Sequence, residues 1–476
     1  MPSPITSSGA LDVQGIVNAL IKAESSPLTK LQAEAKRVEV KISSYGKIQS
    51  AVAALRDAAA SLSRSTAWQA VKAVSSSSAV DIAARAGASA AQLSMEVQQL
   101  AAAQTLSSAA VASADTVVGA GTLTLQFGSR PAGNTTFTAD AARPAVSVSI
   151  PANATLAQVR DAINGAGAGV RASIVKDGDQ VRLFMTGSAE GANQAFNITV
   201  ADNDGSPTNA AGLSMLAFDP PALAGAGSNM TLARSAADAQ YTLDGVALSA
   251  HSNRISGAID GVDLTLRQVT ASPVQLEVNV DPDAMQAGVQ KFVDAYNLLN
   301  SLMAEQTRYD PATRTAGNLQ GDSSAVGILN QMRSTLTGSV SGSTLSRLSD
   351  AGINLQRDGS LSLNATRFKE VAADPDDLQA LFSATGTGES SKGLMVRLRE
   401  FGDRLLSADG TVSNSSATWE ARKASLIKRQ ESYQVRLDEM QKRLMAQYTR
   451  LDAMLVSAQA SGAQLQSALA GLPRIG

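Results

Sequence analysis

The sequence contains no cysteine and only one histidine, His251. Without thiols, the chain can form no disulfides, thiolate metal sites or cysteine nucleophiles. A single histidine leaves too few nitrogen and sulfur ligands for most zinc sites. The polar residues around His251 also lack the pattern of a nucleophile elbow. We therefore predict that His251 lies in a surface loop, that the protein binds no metal or other cofactor, and that it is not an enzyme.

Aromatic residues and net charge are both scarce. Aromatics make up 4% of the 476 residues, and 40 basic residues nearly balance 42 acidic ones, which gives a formal net charge of -2. Without a basic excess, no long-range field attracts the chain to nucleic acid or anionic lipid. Basic residues are also rarely interleaved with aromatics, so we predict that the chain binds no nucleic acid.

Long hydrophobic runs are missing as well. Residues 1–26 lack the basic n-region and apolar h-region of a cleaved signal peptide. The least charged stretch, residues 453–473, carries Gln459, Gln464 and Gln466, which makes it a poor membrane span. We expect a soluble chain with no membrane insertion.

Two short motifs look like ligand sites but do not meet the requirements. Gly165, Gly167 and Gly169 follow a predicted helix and precede a strand, which is the reverse of the dinucleotide-binding order. We interpret them as a helix end and a turn. The DPDD run at 374–377 lacks the glycine and glutamate of a calcium loop, and we predict that it starts a helix.

Both ends of the chain carry a narrow apolar stripe at helical spacing. Residues 11–23 place valine, isoleucine and leucine on one helical face. Ser26 and Pro27 then predict an N-cap and the first position of a second helix. The apolar positions of this helix alternate by three and four residues, as in a coiled coil. The candidate interface residues in this helix are Leu28, Leu31, Val38 and Ile42.

Residues 433–469 predict a long C-terminal helix with a similar stripe. A doubled four-residue step before Tyr448 is a stutter, which unwinds a left-handed supercoil locally. The candidate interface residues in this helix are Leu437, Met440, Leu444, Tyr448, Leu451, Leu455, Leu465 and Leu469.

Charged residues stop at Asp452 of this helix and return only at Arg474. Small neutral side chains permit close and reversible packing, whereas charges at such an interface would have to be desolvated or paired. We expect this end to pack against helices of other molecules and to lack a fixed partner in the isolated chain. The alternative is that each terminal stripe packs into the core of its own domain.

Between the terminal helices the pattern changes to short alternating strands, from about residue 75 to 280. Asp177-Gly178 and Asp244-Gly245 mark hairpin turns. Helical periodicity returns at 284–309. This order predicts an α+β multidomain protein: terminal coiled-coil-like helices and a helical stalk, with two inserted β-rich head domains.

We predict four structural parts, most of them built from two separate ranges. They are a terminal helical leg (1–43 and 431–476), a helical stalk (44–72 and 282–430), an inner β-rich head domain (73–115 and 236–281) and an outer β-rich head domain (116–235).

Several segments follow one another in an order that spans the chain. They include SSGALDVQGIVNALIKAESSPLTKLQ at the start, VQQLAAAQ at 97–104, NRISGAIDGVDLTL, FVDAYNLLNSLM, GNLQGDSSAVGILNQMRSTL and LSDAGINLQRDGSLSLN. Together they resemble the flagellar filament cap proteins, also called hook-associated protein 2 or FliD. Tyr448 stands where that family more often has phenylalanine, and it keeps an aromatic side chain there.

The resemblance implies a flagellar filament capping protein that is secreted through the flagellar type III export apparatus and sits at the distal tip of the bacterial flagellum. It implies a homo-oligomer, a closed ring of about five subunits. The terminal helices would act as legs between flagellin subunits, and arriving flagellin would fold and insert beneath the cap. An export chaperone would bind the C-terminal helix.

Two other functions remain open from the sequence. The head domains could form an adhesin that binds host mucin or other glycans, although the few aromatics argue against stacking on sugars. The chain could also be another flagellar axial or junction protein, for which we would expect the β insertion at a different place in the sequence.

Overall fold

The structure is a computed structural model that describes residues 11–130, 136–220, 222–312 and 314–470. It divides into two compact units. The helical unit comprises Met1–Trp68 with Asp283–Gly476, and the β unit comprises Gln69–Pro282. Helices at both ends of the chain and sheets between them confirm the predicted α+β class.

The secondary structure follows the order helices, strands, helices. The helices are α1 (Val13–Glu24), α2 (Ser26–Leu62), α3 (Leu156–Gly165), α4 (Pro282–Thr307), α5 (Ser323–Thr337), α6 (Ala365–Ala372), α7 (Pro375–Ser383), α8 (Leu394–Leu406) and α9 (Thr411–Ala470). The strands are β1 (Val71–Ser75), β2 (Val80–Ala84), β3 (Ala91–Gln99), β4 (Thr105–Ser107), β5 (Val117–Ser129), β6 (Thr138–Ala139), β7 (Val146–Thr155), β8 (Val170–Asp177), β9 (Gln180–Gly187), β10 (Ala195–Asp202), β11 (Thr231–Arg234), β12 (Ala239–Leu243), β13 (Val246–Ala250), β14 (Arg254–Ile259), β15 (Val262–Leu266), β16 (Val274–Val280), β17 (Tyr309–Asp310), β18 (Thr315–Ala316), β19 (Ile353–Leu355) and β20 (Leu361–Leu363).

The core of the helical unit forms around the second half of α2, which packs against α8 and α9. Ile48, Val52 and Leu55 are buried there, at the helical spacing that the sequence predicts. Trp68, just after α2, stacks on Phe382 of α7 with ring centroids 4.7 Å apart. The far end of α2 is therefore fixed in a dense apolar core.

Polar side chains fix the middle of α2 as well. Tyr45 donates its hydroxyl to Asp322 over 2.8 Å, and Asp322 also caps the N-terminus of α5. Burial raises the pKa of Tyr45 to about 12. Ser44 donates its hydroxyl to Gln306 of α4 over 2.7 Å. These bonds join α2 to α4 and α5 inside the helical unit.

The β unit contains two apolar cores. The first lies between the sheet β1-β16-β3-β12-β13 and the smaller sheet β14-β15-β2. Buried and more exposed residues alternate along β15 and β16, as expected for strands that cover a core on one face. Met95, Tyr241, Leu264 and Leu276 are buried in this core.

The second core is enclosed by the strand set β10-β5-β6, with β7 paired to β5, by the sheet β11-β4-β9-β8, and by α3. Thr155 and Gln158 form a capping box that starts α3. The helix ends at Gly165, and Gly167 and Gly169 then adopt positive φ angles of 58° and 73°. The prediction of a helix end and a turn at these glycines is confirmed.

Two predicted helix starts have different outcomes. Asp374 is the N-cap of α7, as predicted for the DPDD run. For α2 the predicted N-cap Ser26 is wrong, because the helix already begins at Ser26 and the N-cap is Ser25, whose side chain caps no backbone amide. Pro27 lies in the first turn, where its missing N–H leaves no helical bond unmade.

The four-part division of the chain stays a prediction. The helix α9 runs without interruption through the proposed boundary at 430/431. The strand β4, placed by sequence in the inner head domain, pairs with β9, and its Leu106 is buried in the second core. That pairing argues for an outer head domain that starts before residue 105.

Candidate functional site

The N-terminal helices α1 and α2 pack against α9 in the opposite direction. The backbone N–H of Leu11 donates to Asp452, 3.0 Å away. The Tyr433 hydroxyl donates to the carbonyl of Glu24 over 3.3 Å. Because residue numbers rise along one partner as they fall along the other, the helices form an antiparallel pair.

Charged side chains continue this pairing toward the core of the helical unit. Arg422 binds Glu34 at 2.6 Å, and Lys423 binds Glu39 at 3.0 Å. The Lys41 ammonium lies 4.2 Å from the centroid of the Trp419 ring. Exposed ion pairs of this kind contribute at most about 1 kcal/mol each. These ion pairs therefore determine which residues of the two helices lie opposite each other more than they stabilise the pair.

The predicted interface residues fall into three groups by exposure. Val38 and Leu437 are buried. The half-buried residues, all on the contact side of the pair, are Leu28, Leu31, Ile42, Met440, Leu444 and Tyr448. The exposed ones are Leu451, Leu455 and Leu465. Leu469 lies outside the described side chains. The structure thus brings together the predicted residues up to Tyr448, whereas Leu451, Leu455 and Leu465 remain on the surface.

The sequence-based set omitted two further residues that the pair buries. Val13 and Val17 of α1 are 6% and 0% exposed and lie where α1 packs against α9. Their signal was present, since both belong to the apolar face of residues 11–23. The predicted set does not include them because it rests on coiled-coil spacing, which is clear only after Leu28.

Along α9 the pairing ends at one residue. We call residues 419–452 the paired stretch and residues 453–467 the bare stretch. Every residue of the bare stretch is exposed. Met454 is 67% and Leu465 is 64% exposed, and the bare stretch has no charged residue.

We expect the charge-free end of α9 to lack a fixed partner in the isolated chain, and among the described residues the bare stretch agrees with this, since all of its side chains are exposed. Before Asp452, α1 and α2 cover the paired stretch. The packing against the N-terminal helices and the charged residues of α9 both end at Asp452. Its carboxylate accepts a hydrogen bond from the backbone N–H of Leu11.

The remaining chemistry is sparse. His251 lies on an exposed bend, as predicted, with Nδ1 2.9 Å from Asp238 Oδ1. In the part of the chain that the structure describes, no group of three or more His, Cys, Asp or Glu side chains could hold a metal ion. The same residues include no helix that is both long and apolar enough to cross a membrane.

Two family models match most of the chain. The model of the flagellar hook-associated protein 2 N-terminus matches residues 9–104, and the model of its C-terminus matches residues 236–460. A third model, the flagellin hook IN motif, matches residues 132–188.

Curated relatives extend the match over almost the full length. The B-type flagellar hook-associated protein 2 of Pseudomonas aeruginosa is 30% identical, over 94% of this chain and 93% of the relative. The flagellar hook-associated protein 2 of Escherichia coli strain K12 is 28% identical, over 96% of this chain and 95% of the relative.

A solved structure agrees at the level of the fold. The crystal structure of the D1-D2-D3 domains of the flagellar cap protein FliD from Escherichia coli superposes with a TM-score of 0.63 at 27% sequence identity. The match covers 79% of this chain and 99% of that structure. The chain is thus similar to flagellar cap proteins in family models, sequence and fold.

Proposed function

Since the chain belongs to the flagellar hook-associated protein 2 family, we propose that its paired terminal helices are the part of a filament cap that docks on the filament. The protein is a flagellar filament cap and works with flagellin at the tip of the flagellum. What we propose is how its parts divide this work. The cap assignment is favoured over an adhesin or another axial protein.

One observation supports the docking role. The helix α9 loses its cover and its charges at the same residue, Asp452, and continues as the bare stretch. An exposed helix of this length is only marginally stable in water. Five apolar side chains at the end of α9 remain exposed: Leu451, Met454, Leu455, Val456 and Leu465. Because they are 38–67% exposed, complete burial by a partner would gain about 0.5–2 kcal/mol for each, a share of the roughly 1.5–3 kcal/mol for a fully exposed side chain.

The neutral side chains suit a contact that is made and released repeatedly. A charged residue in the bare stretch would have to be desolvated or paired each time the cap moved to a new position. Gln459, Ser461 and Gly462 can instead lie close to several different neighbours without that cost. We propose that these neighbours are the terminal helices of flagellin.

The other parts follow from this role. We propose that residues 1–43 and 431–476 form the leg, that residues 44–72 and 282–430 form the stalk, and that the β unit forms the plate of the cap. A closed ring of about five copies would place the legs around the filament axis.

We further propose secretion through the flagellar type III apparatus, with an export chaperone that covers the bare stretch until the cap assembles. An apolar helix end of this kind is a suitable site for a chaperone, because it is exposed in the isolated chain. The cap acts by guiding assembly, and we propose no catalytic step.

The proposal is tested by deleting residues 440–476 in a bacterium that lacks its own copy of the gene. We expect the truncated protein to be secreted and its β unit to fold, but filament growth to be lost. A narrower variant, M454Q/L455Q/L465Q, removes only apolar side chains from the bare stretch and should shorten filaments strongly.

The matched control is Q459A/Q464A/Q466A, which changes the same number of exposed residues in the same stretch without removing apolar surface. Filament length in electron micrographs and protein in the culture supernatant are the measurements. Filaments of normal length with the truncated protein would refute the docking role.

A further inference from the structure

Arginine recurs at every seventh residue along α9: Arg422, Arg429, Arg436, Arg443 and Arg450. Arg422 is ion-paired with Glu34, and we call the other four the arginine row. A seven-residue repeat returns to nearly the same helical face, with a drift of about 20° per repeat. The row spans roughly 30 Å at 1.5 Å per residue.

The row occupies one flank of the contact face of α9. Arg436 and Arg443 directly precede Leu437 and Leu444, which face the N-terminal helices. This is the flanking position that forms salt bridges between helices in coiled coils. The opposite flank carries neutral side chains, such as Gln434 and Gln441. All arginines of α9, unlike its three lysines, fall on this seven-residue repeat.

No carboxylate in the described part of the chain forms an ion pair with the row. All four arginines are exposed, and none takes part in the ion pairs of the described residues. The helix α1, which lies opposite, has Glu24 as its carboxylate, and Glu24 forms no ion pair with the row. Glu439, four residues before Arg443, is not paired with it either.

Apolar side chains lie between the arginines. An open groove of about 800 Å³ is lined by two arginines of the row together with Leu31 and Tyr433. A second groove, of about 550 Å³, is lined by the other two arginines together with Leu451 and Met454. The surface is thus amphipathic along its whole length, with guanidinium groups above an apolar floor.

We propose that the arginine row binds an amphipathic helix that carries carboxylates at seven-residue spacing and belongs to a neighbouring subunit of the filament. The inference rests on the proposed docking role and adds the chemistry of the contact. Guanidinium groups pair with carboxylates through two parallel hydrogen bonds. A second helix with the same seven-residue repeat can contact the whole row, over roughly 30 Å, when it lies nearly parallel to α9, as in coiled-coil packing.

The test uses the full-length protein and filaments reassembled in vitro from flagellin of the same bacterium. The variant R429Q/R436Q/R443Q/R450Q removes four charges and keeps residues that favour helix. The measurement is the protein concentration at which half of the filament ends carry a gold-labelled cap, read by electron microscopy at low and high salt.

The control variant K47Q/K291Q/R357Q/R404Q, called the stalk control, removes the same charge from exposed positions of the helical unit outside the proposed leg. The variant R429K/R436K/R443K/R450K keeps the charge of the row. Circular dichroism of all variants checks that helix content is unchanged.

We expect the glutamine variant of the row to raise the half-saturating concentration roughly ten- to hundred-fold, the sum of several exposed ion pairs. The stalk control should change it less than about three-fold, and the lysine variant should retain most of the binding. The advantage of the wild-type row should shrink in high salt, because exposed charges are screened.

Equal effects of the row variant and the stalk control would overturn the inference, as would binding that does not depend on salt. A change in the size of the ring without a change in filament binding would also overturn it, since the partner would then be a second copy of the chain. If the wild type and every variant fail to bind filament ends, the proposed docking role itself fails.

Discussion

The paired and bare stretches of α9 belong to one helix, yet their side chains face different environments. In the paired stretch, Leu437 is buried against the N-terminal helices and charged residues flank the contact. In the bare stretch, Leu465 is 64% exposed and no charged residue occurs. We propose that the difference separates surface that stabilises the isolated chain from surface that serves an assembly.

The largest effect should come from comparing one leucine in each stretch. L437A removes a buried side chain and should lower the free energy of unfolding of the helical unit by about 2–4 kcal/mol. L465A removes an exposed side chain and should change it by less than about 0.5 kcal/mol. Urea unfolding followed by circular dichroism measures both. Similar changes in the free energy of unfolding for the two variants would contradict the proposed difference between the stretches.

A smaller effect is expected at the anchored end of the pair. Y45F removes the hydrogen bond to Asp322 and should cost about 1 kcal/mol. Burial raises the pKa of Tyr45 from 10.0 to about 12. The neutral phenol is therefore favoured by folding, and its contribution is complete below pH 10 and lost as the pH rises toward 12.

Y45F should abolish this part of the alkaline destabilisation, which a pH series of unfolding curves records for the wild type and the variant. Y433F is the matched control, because it removes a hydroxyl from an exposed hydrogen bond of the paired stretch. If Y45F and Y433F give the same pH dependence of unfolding, the assignment of this alkaline effect to Tyr45 is wrong.

The smallest effect is expected at the boundary between the stretches. D452A removes the acceptor for the Leu11 N–H and should weaken the end of the pair by about 0.5–1 kcal/mol. The measurement is amide exchange of α1, which should accelerate near its N-terminus while α2 stays unchanged. D438A, whose exposed carboxylate bonds only its own helix, is the control.

Much of this site could be predicted from the sequence, because its signals are local. The spacing of Leu437, Met440 and Leu444 predicts their contact side, and the missing charges after Asp452 predict a change in environment there. The sequence also predicts that the two ends of the chain form one leg, but it does not predict their register, because the Leu11–Asp452 bond joins residues 441 positions apart.

Other misses have equally physical causes. The strands β4 and β11 are three and four residues long, too short for a period of two to be recognised. The arginine row is visible in the sequence, but the periodicity of apolar residues, which predicts buried helix faces, does not detect it. In a helix whose apolar stripe is incomplete, the spacing of the flanking charged residues indicates a contact face as well as the stripe does.

The most direct test of the account is hydrogen exchange on the full-length monomer, resolved along α9. We predict slow exchange through the paired stretch, because α1 and α2 cover it, and exchange within seconds through the bare stretch, because a solitary helix end opens readily. Equal and strong protection on both sides of Asp452 would contradict the account, since the bare stretch would then have a stable partner within its own chain.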